Sequence, residues 1–170
     1  MFRPFPLLAA VLAGVSVAFT ASAASALPQG CWGKLSAPLL KGGFVDGGPG
    51  VDCGDYYSLK IQYVGRTNGP RKYRVYSALR ALKAVNGGPG HGNQQVLIFD
   101  DRMNYLGVYR VIPAGAERSR PNVDRLWITG AVVHFHLPHF GGNSIRLDGP
   151  KPPEVVFVNG EEIHFWTAGR

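Results

Sequence analysis

The chain has 170 residues and a formal net charge of +7, from 18 Lys and Arg against 11 Asp and Glu. That length suits one domain with a proper core. After the N-terminal segment no stretch approaches the roughly 20 apolar residues of a membrane span, and the G-x-S-x-G, H-E-x-x-H, Walker and C-x-x-C motifs are absent.

Met1-Phe2-Arg3 is a short positive start, Leu7 to Phe19 an apolar run, and Ala21-Ser22-Ala23 and Ala24-Ser25-Ala26 two A-x-A cleavage signals. This is the pattern of a secretory signal peptide over residues 1–26, cut after Ala23 or Ala26. It leaves residues 27–170 as a single exported domain, periplasmic or secreted. Pro28 and Gln29 precede Cys31 where a lipoprotein signal wants small or aliphatic residues, which argues against lipid attachment. In an oxidising compartment the two cysteines, Cys31 and Cys53, predict a disulfide, and neither has the context of a catalytic thiol. Closing that loop would stabilise the fold by roughly 3 kcal/mol.

The stretch from Ser36 to Asp55, rich in Gly and Pro, predicts a surface loop tied by that bridge. The string GGPG at Gly47 to Gly50 recurs at Gly87 to Gly90 as a second turn rather than a repeat. "YYSLKIQYV" alternates, with Tyr57, Leu59, Ile61 and Tyr63 on one face of a strand. Pro70 then opens an expected helix. Val75, Ala78, Leu79, Leu82 and Val85 follow helical spacing, and Asn86-Gly87 supplies the stop. "QQVLIFDDRMNYLGVYRV" predicts a hairpin turning near Asp101 to Asn104, followed by a surface loop from Pro113 to Asp124. "RLWITGAVVHFHL" reads as one long strand and "NSIRL" as a shorter one. "EVVFVNGEEIHFW" is a hairpin, because Asn159-Gly160 suits a type I′ turn whose two central residues need positive φ. The sum is an α+β fold: a mainly antiparallel sheet of six to eight strands, one amphipathic helix packed on it, and one disulfide.

Charge is unevenly spread. From Tyr56 to Phe99 there is no acid, but there are Lys60, Arg66, Arg71, Lys72, Arg74, Arg80 and Lys83. On the expected helix Tyr73, Tyr76, Arg80 and Lys83 lie opposite the apolar stripe, forming a basic surface with rings mixed in. Such a surface attracts anions and offers stacking. For an exported protein it points to an anionic envelope polymer, a lipid or an acidic protein; nucleic acid would require a secreted nuclease or an uptake factor. A solvated face that aids solubility is the plainer reading.

"VVHFHLPHF" holds three of the five histidines. His134 and His136, two apart, share a strand face. With His139 or His164 they could hold zinc or copper, making the chain a metal-binding protein or metal-dependent hydrolase. No acid falls inside the cluster, and packing on a partly buried sheet face explains the pair equally well. Otherwise no cofactor is indicated. A nuclease-type pair of histidines acting as acid and base has no spacing to support it. Binding of an anionic partner by a non-enzymatic module is the leading expectation, with His-based metal chemistry as its alternative.

Overall fold

The segment expected to be helical is a strand. In the computed structural model, which describes residues 31–44, 56–82, 92–111, 125–137 and 141–167, residues Tyr73–Leu82 form β2. It sits between β1 (Tyr56–Arg66) and β3 (Gly92–Asp100), antiparallel to both. Both faces of β2 are covered. Tyr73 and Val75 enter one buried cluster, Tyr76 and Ala78 another. A strand buried on both faces loses its alternation and becomes a nearly continuous apolar run, and such a run can imitate a helical stripe.

The order of the first sheet is β1-β2-β3-β4-β9-β8, with β4 (Tyr105–Arg110), β8 (Val155–Val158) and β9 (Glu161–Trp166). A second sheet holds β5 (Arg125–Thr129), β6 (Val132–Leu137) and β7 (Gly141–Arg146). All pairs are antiparallel. The fold is therefore a two-sheet, mostly β architecture, not α+β. What reads as one long strand in the sequence is β5 and β6, broken by a turn at Gly130, whose φ is +59°.

The main core lies between the sheets. Tyr73, Val75, Val96, Ile98 and Tyr109 from the larger sheet meet Val133, Phe135, Leu137 and Ile145 from the smaller. At the corners β5 lies beside β1 and β7 beside β8. One corner is bridged by Asn143 and Asn159, whose N–H donates to Asn143 Oδ1 at 3.1 Å.

The outer face of the larger sheet has its own cover. The stretch expected as a loop from Ser36 opens instead with a short helix, α1 (Ser36–Lys41), preceded by a 3-10 turn (Gly33–Leu35). Trp32, Leu35, Leu39 and Phe44 are buried there against Tyr76, Leu97, Phe99, Tyr105 and Val108. Each such side chain removed from water contributes roughly 1.5–3 kcal/mol. This lid covers β1–β4 and stops short of the β8–β9 hairpin, which keeps Val155, Phe157 and Trp166 exposed.

Among the described residues no complete cysteine pair occurs: Cys31 is not a free thiol, and Cys53 lies outside them. The signal segment, the GGPG turns, the Pro113–Asp124 loop, Lys83, His91 and His139 also lie outside. Within the described residues no helix is long and apolar enough to cross a membrane.

Candidate anion-binding site

The strand assignment dissolves the expected basic-aromatic helix face. Tyr73 points into the main core and is fully buried; Tyr76 and Arg80 point to the opposite face, at 5% and 4% exposure. Burial, then the nearby Arg110 guanidinium, lowers Arg80 to about 10, which still leaves it charged at neutral pH. These side chains are structural parts of the sheet rather than a surface.

The basic charge gathers instead where the β1–β2 and β3–β4 connections meet at one end of the larger sheet. The first connection is pinned from several sides. Thr67 is buried; its N–H donates to Tyr73 O, and its hydroxyl accepts from Tyr73 N at 2.9 Å. Asn68 N donates to Gly130 O at 2.7 Å. Arg71 Nη1 donates to Pro150 O at 2.6 Å, with its guanidinium 5.8 Å from the Tyr73 ring centroid.

The second connection is organised by Asp100. One carboxylate oxygen accepts from Arg102 N and Asn104 N at 2.9 and 2.8 Å, and the other accepts from Asn104 Nδ2 at 2.8 Å. This side chain-to-backbone pattern stabilises a tight turn; Met103 there takes a φ of +65°. Partial burial works to raise the Asp100 pKa. The hydrogen bonds from Asn104 and Arg102, with the Arg71 charge, outweigh it and hold the carboxyl below its ordinary value of 3.8.

Pro70, Arg71, Lys72, Asp100, Asp101, Arg102 and Asn104 line an open cleft of about 460 Å³ between the two connections. Its charge balance is lopsided. Asp101 is shared by Arg66, through a short charged hydrogen bond, and by Arg74, 3.7 Å from its other oxygen. Asp100 is spent on the turn. Lys72 and Arg102 remain, one on each connection, both exposed, with no hydrogen bond or ion pair to either side chain among the described residues. Two cations without counter-ions, flanked by two committed carboxylates, can accept a phosphate, sulfate or carboxylate group.

Sequence reasoning found Lys72 as a charge but placed it on the wrong kind of element, and it missed Arg102. The clue was the border of the acid-free segment: the first acids after it, Asp100 and Asp101, stand immediately before Arg102.

The described histidines, His134, His136 and His164, do not assemble into a metal centre. His134 and His136 do share the outer face of β6. His134 is paired across strands with Trp127 and stacked on its ring at 5.2 Å and 15°, while Arg125 lies 5.0 Å from the other partner in the stack, the Trp127 ring. His136 stands opposite Arg125 and Gly142. His164 belongs to the other sheet, 3.8 Å from Glu162. Among the described residues no three His, Cys, Asp or Glu side chains come together as a metal-binding group. An arginine beside the pair would also oppose a cation.

No protein-family model, curated protein or solved structure matches the chain.

Proposed function

We propose that the chain is an exported, two-sheet binding module that engages an anionic partner, a component of the cell envelope or an acidic protein, through its basic loop end. The observation that carries this reading is the pair Lys72 and Arg102, which face one cleft without counter-ions while both neighbouring carboxylates are committed. Export is supported by the signal-like residues 1–26, and the partners reachable after export carry phosphate and carboxylate groups. The sequence expectation of an anionic partner is retained; its location moves from a helix face to the loop end. The loops of a β architecture commonly carry such function, because a rigid scaffold holds them in place.

The test is retention of the mature chain on phosphocellulose across a salt gradient. Exposed charge contacts weaken within a Debye length of about 8 Å at physiological salt. Lys72→Glu/Arg102→Glu should elute at clearly lower salt than Lys34→Glu/Lys41→Glu, which changes net charge equally at two exposed positions on the lid. Equal losses in the two variants would mean that retention follows net charge alone, and the cleft reading would fall.

A further inference from the structure

Among the described residues β8 is the outermost strand of the larger sheet and pairs only with β9. Its four residues, Val155-Val156-Phe157-Val158, divide cleanly. Val156 and Val158 point into the core at 9% and 0% exposure, and Val155 and Phe157 point outward at 37% and 63%. Trp166, 44% exposed, extends the outward row along β9, with Arg110 stacked over it at 5.4 Å.

The backbone divides in the same way. Phe165 N donates to Glu154 O, which marks that pair as hydrogen-bonded in the β8–β9 register. Antiparallel ladders alternate bonded and non-bonded pairs. The next bonded pairs are thus Val156 with Ile163 and Val158 with Glu161. The N–H and C=O groups of Val155 and Phe157 face away from β9 and have no backbone partner among the described residues.

Edge strands are normally blunted by charge, bulges or cover, and the other sheet edges are. β1 breaks register twice and carries Lys60 and Arg66. β5 starts with Arg125, and β7 starts at Gly141 with φ +74° and ends in Arg146. β8 has no charge, bulge or proline; Pro152 and Pro153 merely limit how far pairing could extend toward its N-terminal side.

We propose that β8 pairs with β8 of a second copy of this chain, antiparallel about a two-fold axis, joining two six-stranded sheets edge to edge. A two-fold that engages all four free backbone groups sets Val155 opposite Phe157 of the second copy, and Val156 opposite itself. Both Val155–Phe157 pairs are then hydrogen-bonded, and two Val and two Phe side chains form one apolar cluster, bordered on β9 of each copy by His164 opposite Val155 and Glu162 opposite Phe157. Glu154 falls opposite Val158, so no like charges are directly opposed. The match of a surface patch to itself is what a two-fold contact requires. A contact this short lies below the roughly 1,200 Å² of standard interfaces, so association is weak and depends on concentration.

The test is analytical ultracentrifugation of the mature chain alone, from low micromolar to millimolar concentration. Reversible dimerisation is expected, weakened at least tenfold in Phe157→Lys, whose altered side chain points to solvent. Register is tested separately. Val155→Cys mixed with Phe157→Cys should give the mixed crosslinked dimer in excess over either variant crosslinked to itself. A monomer at the highest concentration overturns the proposal, as does a dimer that Phe157→Lys leaves unchanged or a crosslinking pattern favouring self-pairs. Pairing of β8 only with a strand from another protein would appear as the monomer outcome.

Discussion

The β3–β4 turn and the β8–β9 hairpin both reverse the chain at the rim of the same sheet, yet they leave opposite things unsatisfied. Around the turn, backbone groups are well used: Asp100 N reaches Asn104 O, Met103 N reaches Asp100 O, and the Asp100 carboxylate takes three more donors. What remains there is charge, on Lys72 and Arg102. At the hairpin, the exposed Glu162 lies 3.8 Å from His164 and Arg110 lies over Trp166, and what remains on the edge strand is backbone and apolar surface, on Val155 and Phe157. Unsatisfied charge acts over distance and fades with salt. Unpaired backbone and apolar area act on contact and persist in salt. The two regions therefore suit different partners, and salt should separate them.

The comparison breaks most completely where the hairpin is fastened to the sheet. Gly107 in β4 has φ +155°, and a Cβ there would stand 2.5 Å from the Phe165 ring and from Trp166 O. Phe165 packs closely over that glycine, with its ring 4.7 Å from Tyr109. Tyr109 in turn donates to Pro153 O at 2.7 Å, just before β8. Gly107→Ala is expected to cost roughly 3 kcal/mol, from overpacking plus backbone strain, read from the denaturant midpoint. Hydrogen exchange should show β8–β9 amides opening first, while those at Thr67, Asn68 and Asn104 stay protected. Uniform loss of protection would show that the two regions do not come apart.

At the other region Asp100 is the residue to change. Asp100→Ala removes three hydrogen bonds from a partly exposed turn, an expected cost of about 1–2 kcal/mol. It also removes one negative charge from the cleft. If retention on phosphocellulose followed charge alone it would rise; if it needs the turn to keep Arg102 on the cleft that Lys72 also lines, it falls, and a fall is expected. The pH dependence has a definite sign. Because the folded-state pKa is depressed, the carboxylate's contribution is full above its unfolded pKa and is lost as pH falls through the lower folded value. The stability difference between wild type and Asp100→Asn should hold steady above about pH 5 and close below about pH 4. A difference that widens on acidification would contradict the assignment.

How much of this was legible in the sequence depended on how local each signal is. The β8–β9 hairpin was, because Asn159 and Gly160 take φ +52° and +83° and the turn chemistry sits in two adjacent residues. The β3–β4 hairpin and the outward Leu59–Ile61–Tyr63 row of β1 were legible too, with Leu59 and Ile61 packed under the lid and Tyr63 against Tyr76 at 5.0 Å. β2 was not, because burial on both faces is a property of its neighbours. The lid was missed because its apolar residues, Trp32, Leu35, Leu39 and Phe44, sit among glycines and prolines that read as loop. The cleft could not be read because Lys72 and Arg102 come to line it only through the β2–β3 register, in which Tyr73 pairs with Asp100.

The smallest expected effect belongs to the histidine row, which serves as the reference for both regions because it leaves neither charge nor backbone conspicuously unsatisfied. His134 stacks on Trp127, and Arg125 lies over the same Trp127 ring. A stacked aromatic pair on a sheet face contributes roughly 0.5–1.5 kcal/mol beyond area burial. His134→Ala should therefore lower stability by about 1 kcal/mol and leave phosphocellulose retention and self-association unchanged. Thermal unfolding with and without added Zn²⁺ separates stacking from ligation. A ligand that binds only the folded state raises the midpoint by mass action, so a zinc-dependent rise in wild type that His134→Ala abolishes would reinstate a metal role. Equal midpoints with and without zinc would leave the imidazole doing what its geometry shows, filling the space between two strands against an indole.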